Sequence, residues 1–356
     1  MGLQFPKLAL RKLIFSVPRI IQPMSVPPLV TVIIVVWNSK RYLSTCLDSL
    51  VAQTNKDFEV VIMDNGSTDG GSLGLEEKYS GLKLTLKKLN QNFGFAVANN
   101  IGARLARGKW LVLLNTDAFP EPDWLEKLLK VAEENPEYSF FSSRQVQANN
   151  PDLIDGTGDA YHISGWAWRR CYNCPTANNG LEQKEVFSAC AAAALISRDG
   201  FLETGGFDED FFSYFEDVDL GFRLRLLGKK CMYVPDAVVH HVGSASIGKR
   251  SDFSVYSGYR NMIWTFVKNM PQPLFWLFLP LHIGSVSFFI VYLTIRGQGR
   301  VIQQAVFDAL HGLPNMLAKR KLIQQNRKVT ISDVLKVMSA DPVEPYLEFA
   351  RRNKTQ

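Results

Sequence analysis

The segment Leu29–Val36 reads LVTVIIVV, eight apolar or β-branched residues with no charge or turn former among them, and Trp37-Asn38-Ser39 ends it. Such a strand has no face to offer to water, so it belongs in a parallel sheet covered by helices on both sides. The chain then repeats the theme. Leu43, Cys46, Leu47, Leu50 and Val51 fall at helical spacing within Arg41–Val51, Phe58–Met63 is a second apolar run, and Leu82–Leu86 is a third. Phe95–Ala106 reads as a helix, Trp110–Leu114 as a fourth strand, Pro122–Glu134 as a helix with proline in its first turn, and Tyr138–Ser142 as another strand. Strands alternating with helices imply right-handed crossovers and an open α/β architecture with a parallel sheet.

Sheets of this kind bind ligands beyond the carboxyl ends of their strands. Those ends carry Trp37-Asn38-Ser39, Asp64-Asn65-Gly66-Ser67-Thr68-Asp69, Asn90-Gln91-Asn92-Phe93-Gly94 and Asn115-Thr116-Asp117. Each alone is ordinary turn chemistry. Together they bring carboxylates, amides and hydroxyls to one edge of one sheet. No G-x-G-x-x-G follows the first strand and no G-x-x-x-x-G-K-[ST] occurs, which removes support for dinucleotide and P-loop binding. The five cysteines (Cys46, Cys171, Cys174, Cys190, Cys231) are odd in number and dispersed, so they fit a reducing compartment rather than a disulfide framework. Cys171-x-x-Cys174 lacks the second pair of a zinc site and reads as two free thiols.

The formal charge of +6 is unevenly distributed. Residues 1–28 carry net +4, residues 29–295 net −4 and residues 296–356 net +6. An acidic body argues against a nucleic-acid enzyme, whereas basic ends beside apolar runs suit an anionic membrane surface.

The stretches Val32–Asn38, Val60–Asp69, Asn92–Gly102, Trp110–Trp124, Gly205–Gly228 and Val234–Ser246 together resemble the family 2 glycosyltransferases. The resemblance runs from Leu29 to Asn269 and implies the GT-A fold, a Rossmann-like, mostly parallel sheet that binds a nucleotide diphospho-sugar. Its most specific block is GGFDEDFFSYFEDVDLGFRLRLLG at residues 205–228, and with HHVGSAS at 240–246 it looks closest to the bacterial rhamnosyltransferase-like branch, which handles surface polysaccharides. The expected organisation is a basic leader (1–28), a catalytic domain (29–269) with a nucleotide-binding half (29–117) and an acceptor-binding half (118–269), a membrane-associating helical segment (270–323) and a C-terminal tail (324–356).

What the family does implies the roles. Asn115-Thr116-Asp117 stands at the Asp-x-Asp position, which makes Asp117 a ligand for a divalent cation, Mn2+ or Mg2+, although Asn115 leaves one carboxylate fewer. The strand-end histidine His241 is the second ligand, with His240 its alternative by a one-residue slip. Asp217 is the general base and Glu216 its orienting neighbour, while Asp219 pairs with Arg223 four residues on. Asp64 would take the pyrimidine N–H. Trp37 and Asn38 would meet base and ribose, Asn92, Gly94 and Asn99 the phosphate side, and Arg260 would clamp the diphosphate. Trp166 and Trp168 either line a sugar pocket or join the core. The reaction so implied is inverting transfer of one sugar, from dTDP-rhamnose by the branch resemblance, to a saccharide or lipid-linked saccharide. Uridine diphosphate hexose and N-acetylhexosamine donors stay open, as does a catalytically silent carbohydrate-binding scaffold. No Q-x-x-R-W follows the acid cluster, so a processive synthase is disfavoured. The sequence carries no signature of an oligomeric state.

Leu274–Ile295 holds no Asp, Glu, Lys or Arg, a length sufficient to span a bilayer, with Pro280, His282 and Gly284 interrupting its middle. Beyond it lie Arg296, Arg300, Lys319, Arg320 and Lys321, which favour the cytoplasmic side, where nucleotide sugars also are. Val301–Ile323 places Ala305, Val306, Leu310, Leu313 and Leu317 near one helical face. An in-plane or re-entrant segment follows, giving a peripheral or monotopic enzyme on the cytoplasmic face of the membrane in preference to a single-pass protein.

Overall fold

The computed structural model describes residues 26–243 and 251–353, so most of the basic leader and Ser244–Ser246 lie outside the described residues. The chain runs β1 (Val30–Val36), α1 (Lys40–Val51), β2 (Phe58–Asp64), α2 (Leu75–Lys78), β3 (Leu84–Lys88), α3 (Phe95–Leu105), β4 (Trp110–Leu114), β5 (Ala118–Pro120) and α4 (Trp124–Glu134). It continues through β6 (Tyr138–Gln147), β7 (Asn150–Gly156), β8 (Asp159–Tyr161), β9 (Ala167–Arg169), β10 (Lys184–Val186), β11 (Ala193–Ser197), α5 (Arg198–Glu203), α6 (Glu216–Leu226) and β12 (Lys230–His241). Helices α7 (Asp252–Asn269), α8 (Gln272–Ile295), α9 (Gly299–His311), α10 (Leu313–Gln325), α11 (Ile331–Lys336) and α12 (Glu344–Asn353) complete it.

The central sheet has the order β10-β12-β6-β11-β4-β1-β2-β3, with β5 paired to β12 and β7 to β6. Strands β3, β2, β1 and β4 are parallel, as the uninterrupted apolar runs require, and every residue of β2 is buried. One face carries α1 and α4 through Leu43, Leu47, Leu50, Leu125 and Leu128; the other carries α3 and α6 through Ala96, Ala103, Leu220 and Leu224. The departure from an open parallel sheet is β11, which runs antiparallel between β4 and β6. Its neighbourhood, Ala191–Ala194, is small and featureless in sequence but fits a strand squeezed into the core from both faces. The third strand lies two residues later than its apolar run, at the sheet edge, where Lys87 and Lys88 stay in water.

The tail departs from the expected pattern in two places. Helix α8 continues without a break across Pro280 and Gly284 and leaves Trp276, Leu277, Ile283, Val291 and Ile295 exposed. It is long and apolar enough to cross a membrane by length and composition. Val301–Ile323 is two helices, because Pro314 sits in the first turn of α10 and Gly312 passes so close to Trp264 that a Cβ would lie 2.6 Å from its ring. These helices are joined to the catalytic body by a shared core: Phe211, Val218 and Phe222 pack with Phe266, Met270, Leu274, Met316 and Val334. Each large apolar side chain buried there contributes roughly 1.5–3 kcal/mol.

Candidate active site

The loops after β1, β2 and β4 open into a cavity of about 990 Å3, lined on the sheet side by Trp37, Asn65, Asn92, Asn115, Thr116 and Asp117. Trp166, Trp168 and Arg169 around β9, and Tyr214, Glu216 and Asp217 at the start of α6, also line it.

Strand register brings the first pair together. β5 pairs with β12 so that Ala118 lies opposite His241, and the Val242 N–H donates to the Asp117 carbonyl at 3.0 Å. His241 Nε2 consequently lies 3.5 Å from Asp117 Oδ1, and both residues are buried. The other ring nitrogen, Nδ1, is 2.7 Å from Asp155 Oδ2 on β7, and Asp155 also pairs with Arg169. Burial by itself would lower the imidazole pKa, yet Asp155 and Asp117 raise it to about 9. An imidazole steadied at one nitrogen by a carboxylate, with its other nitrogen turned to a second carboxylate, is a donor set suited to Mn2+ or Mg2+. His240 is the neighbouring residue on an extended strand and therefore faces the other way; it is part-exposed, with Nε2 3.3 Å from Glu121 Oε1. Among the described residues no three His, Cys, Asp or Glu side chains converge as a closed metal cage. The pair that faces the cavity here is Asp117 and His241.

The second group stands on strained backbone. Phe212, Tyr214 and Phe215 all have positive φ (62°, 68° and 66°), which for aromatic residues costs of order 1–3 kcal/mol each. Helix α7 holds this loop. The Asn261 amide, wholly buried, donates to the carbonyls of Phe211, Ser213 and Tyr214 at 3.0, 3.1 and 2.7 Å. Arg260 donates to the carbonyls of Asp210 and Phe211, with its guanidinium 4.3 Å from the Trp264 ring centre. The loop delivers Asp217 to the cavity, where its carboxylate accepts the N–H groups of Ala191 and Val218 at 3.1 and 2.8 Å. Glu216 beside it is buried, and its Oε2 has no hydrogen-bond partner among the described residues. Burial, and then the charge of Asp217, push the Glu216 carboxyl well above the usual range, which favours its neutral form.

The model of glycosyl transferase family 2 matches residues 31–204. An N-acetylglucosaminyl-diphospho-decaprenol L-rhamnosyltransferase of Mycobacterium tuberculosis (strain ATCC 25618 / H37Rv) is 30% identical over 244 residues, which cover 61% of this chain and 77% of the relative. The chain belongs to glycosyl transferase family 2. It is a glycosyltransferase of the rhamnosyltransferase-like branch. The GT-A fold is shared with a mannosyltransferase from Pyrobaculum calidifontis, solved with GDP-Man and Mn2+ (TM-score 0.52, 19% identity, 87% of each chain), and with residues 1–349 of S. aureus TarS (TM-score 0.54, 17% identity, 90% of this chain and 91% of that one).

Of the positions the family resemblance marks in this family 2 chain, Trp37, Asn92, Gly94, Asn115, Asp117, Glu216, Asp217 and His241 line the cavity. Four others do not. Asn38 ties β1 to the next turn by accepting the Thr68 N–H at 2.8 Å. Asp64 is engaged by the Ser67 N–H at 2.9 Å and by the Ser72 hydroxyl. Asn99 is buried within α3 and donates to the Phe95 carbonyl at 3.0 Å. Arg260 lies outside the cavity lining and braces the strained loop through the Asp210 and Phe211 carbonyls. Gly94 does permit a close approach, but the partner is protein: a Cβ there would lie 2.7 Å from the Phe212 carbonyl oxygen. Three residues that frame the site were assigned no role from the sequence, although Asn65 lies in one of the polar strand ends singled out there. These are Asp155 behind His241, Asn261 beneath the loop, and Asn65, whose amide bonds Asn92 Oδ1 at 2.9 Å and the Gly94 carbonyl at 3.1 Å.

Proposed function

We propose that this glycosyltransferase is inverting and moves one rhamnose from dTDP-rhamnose to a hydroxyl of a lipid-linked saccharide, on the cytoplasmic face of the membrane, in surface polysaccharide synthesis. The observation that carries the reading is the convergence of Asp117 and His241, 3.5 Å apart, with Asp217 in the same cavity. Asp217 takes the proton of the acceptor hydroxyl, whose oxygen then attacks the anomeric carbon. The bond from that carbon to the diphosphate oxygen breaks with both electrons going to oxygen, and a single displacement inverts the configuration. Two backbone N–H groups hold the Asp217 carboxylate in place for this step. A divalent cation bound at Asp117 and His241 supplies positive charge for the departing diphosphate. To hold that ion His241 would have to be neutral, because a ligating ring nitrogen carries no proton. Trp37 and Asn92 line the donor side, and the half-buried Trp166 offers a ring for sugar stacking, whereas Trp168, 4% exposed, belongs to the core.

Rhamnose and a lipid-linked acceptor are supported by the name of the M. tuberculosis relative. A membrane surface is supported by the exposed apolar side of α8 and by the basic ends of the chain. In this reading residues 29–117 form the nucleotide-binding half, with Asp117, and residues 118–269 the acceptor-binding half, with Asp217. Asp217→Asn should abolish transfer and leave nucleotide binding largely intact, measured with dTDP by calorimetry in Mn2+; full turnover by the variant overturns the assignment of the base. A panel of nucleotide sugars decides the donor, and preference for a uridine diphosphate hexose would replace rhamnose without altering the mechanism.

A further inference from the structure

A second cavity, of about 980 Å3, lies between α8 and the α9–α10 pair, away from the catalytic residues. Its body is apolar, lined by Phe275, Leu279, Val286, Leu310, Leu313 and Leu317. From Gln272 to Ser287 it follows α8 for about 22 Å at 1.5 Å per residue. One end differs in kind: Gln272, Arg320, Lys321 and Gln324 line it.

Arg320 is the decisive residue. Among the described residues the buried cations are Arg223, Arg225, Lys268 and Arg320. Arg223 pairs with Asp219, Arg225 with Glu185, and Lys268 with Asp208 and Asp219. Arg320 has no carboxylate within ion-pair distance among the described residues. It is 7% exposed, donates to the Val267 carbonyl at 2.7 Å and to Gln272 Oε1 at 3.0 Å, and lies 4.6 Å from the Phe275 ring centre. Burial lowers its pKa to about 10, which still leaves it charged at neutral pH. A buried guanidinium without a counter-ion is costly, and its planar fork matches a phosphate. Lys321 adds a second cation at the same end.

We propose that this groove is a binding site for an anionic phospholipid, with an acyl chain along α8 and the phosphate against Arg320 and Lys321. Charge complementarity selects the head group, and the apolar length of the groove selects the chain. The site is distinct from the donor cavity and goes beyond the transfer reaction; it rests on the membrane-surface reading only for the source of its ligand.

The test uses the full chain in mild detergent, titrated with dioleoylphosphatidylglycerol or dioleoylphosphatidylcholine, with bound lipid counted by native mass spectrometry. One phosphatidylglycerol per chain is expected, bound at least tenfold tighter than phosphatidylcholine. Arg320→Gln should weaken phosphatidylglycerol at least tenfold, Arg320→Lys should restore most of it, and Val286→Trp should weaken binding by filling the apolar end while keeping both cations. Equal binding of the two lipids, or unchanged binding by Arg320→Gln, overturns the proposal. So does glycerol 1-phosphate binding as tightly as the lipid, because the chain then contributes nothing. Sedimentation of wild-type protein with neutral vesicles reports separately on the membrane-surface reading, which can fail or stand without deciding the lipid titration.

Discussion

Lys268 offers the sharpest test of how α7 is fastened to α6 and the loop before it. Its ammonium is 1% exposed and lies 2.5 Å from Asp208 Oδ2 and 2.7 Å from Asp219 Oδ1. Replacing it by Met keeps most of the stem and removes the charge, leaving two buried carboxylates each short of one cation. Breaking a buried pair in this way typically costs about 3–5 kcal/mol. Here each acid keeps another partner: Arg223 sits 2.8 Å from Asp219, and Lys319 pairs with Asp208. The expected loss is therefore at the lower end, about 3 kcal/mol. Urea unfolding at pH 7 should show a lower midpoint with an unchanged slope. Acid gives a second reading. Burial alone would raise the Asp208 carboxyl, but Lys268 and Lys319 hold it well below the usual carboxylate range. A depressed folded pKa contributes stability that is complete above the unfolded value of about 4 and is lost as pH falls through the folded one. The gap between wild type and Lys268→Met should accordingly narrow as pH drops below about 4. A loss under about 1 kcal/mol at pH 7, or a gap that widens in acid, would refute the argument.

Asn261→Leu keeps the size of the side chain but removes the amide that holds three loop carbonyls, so kcat should fall at least tenfold while dTDP affinity changes less than twofold; equal loss of both would mean that the fold as a whole is damaged. His241→Ala should raise the Mn2+ concentration needed for half-maximal transfer by tenfold or more, whereas His240→Ala should leave it within twofold, and reversal of that order would assign the ligand to His240.

The parallel half of the sheet was legible because a strand buried on both faces leaves an unbroken apolar run, as in Val30–Val36 and Phe58–Asp64. β11 was not, since alanines carry little strand signal and its two antiparallel partners are remote in sequence. The convergence of Asp117 and His241 followed from the family resemblance, and the structure supplies its cause in the pairing of β5 with β12. Asp155 lay beyond sequence reasoning because its contact with His241 spans 86 residues and follows no period. The bracing contacts of Arg260 with the Asp210 and Phe211 carbonyls were not legible for a similar reason. A lone arginine in an amphipathic stretch carries no information about which backbone carbonyls a distant loop will present to it. The split between α9 and α10 was visible in principle at Pro314, but the apolar spacing from Ala305 to Leu317 runs straight across it.

The shared core of α6, α7 and α10 has a mechanical consequence. Phe222, Phe266 and Met316 belong to one close-packed cluster, and interiors packed at crystal-like density transmit displacement instead of absorbing it. Lys268 and Lys319 rivet the same helices to the loop that leads into Glu216. The tail and the start of α6, with Glu216 and Asp217, are therefore held in one packed unit. A displacement of α8 relative to α6 would have to be carried through this cluster to Asp217, so the distance from the exposed apolar side of α8 to that carboxylate is a dimension of the protein, machined into its core.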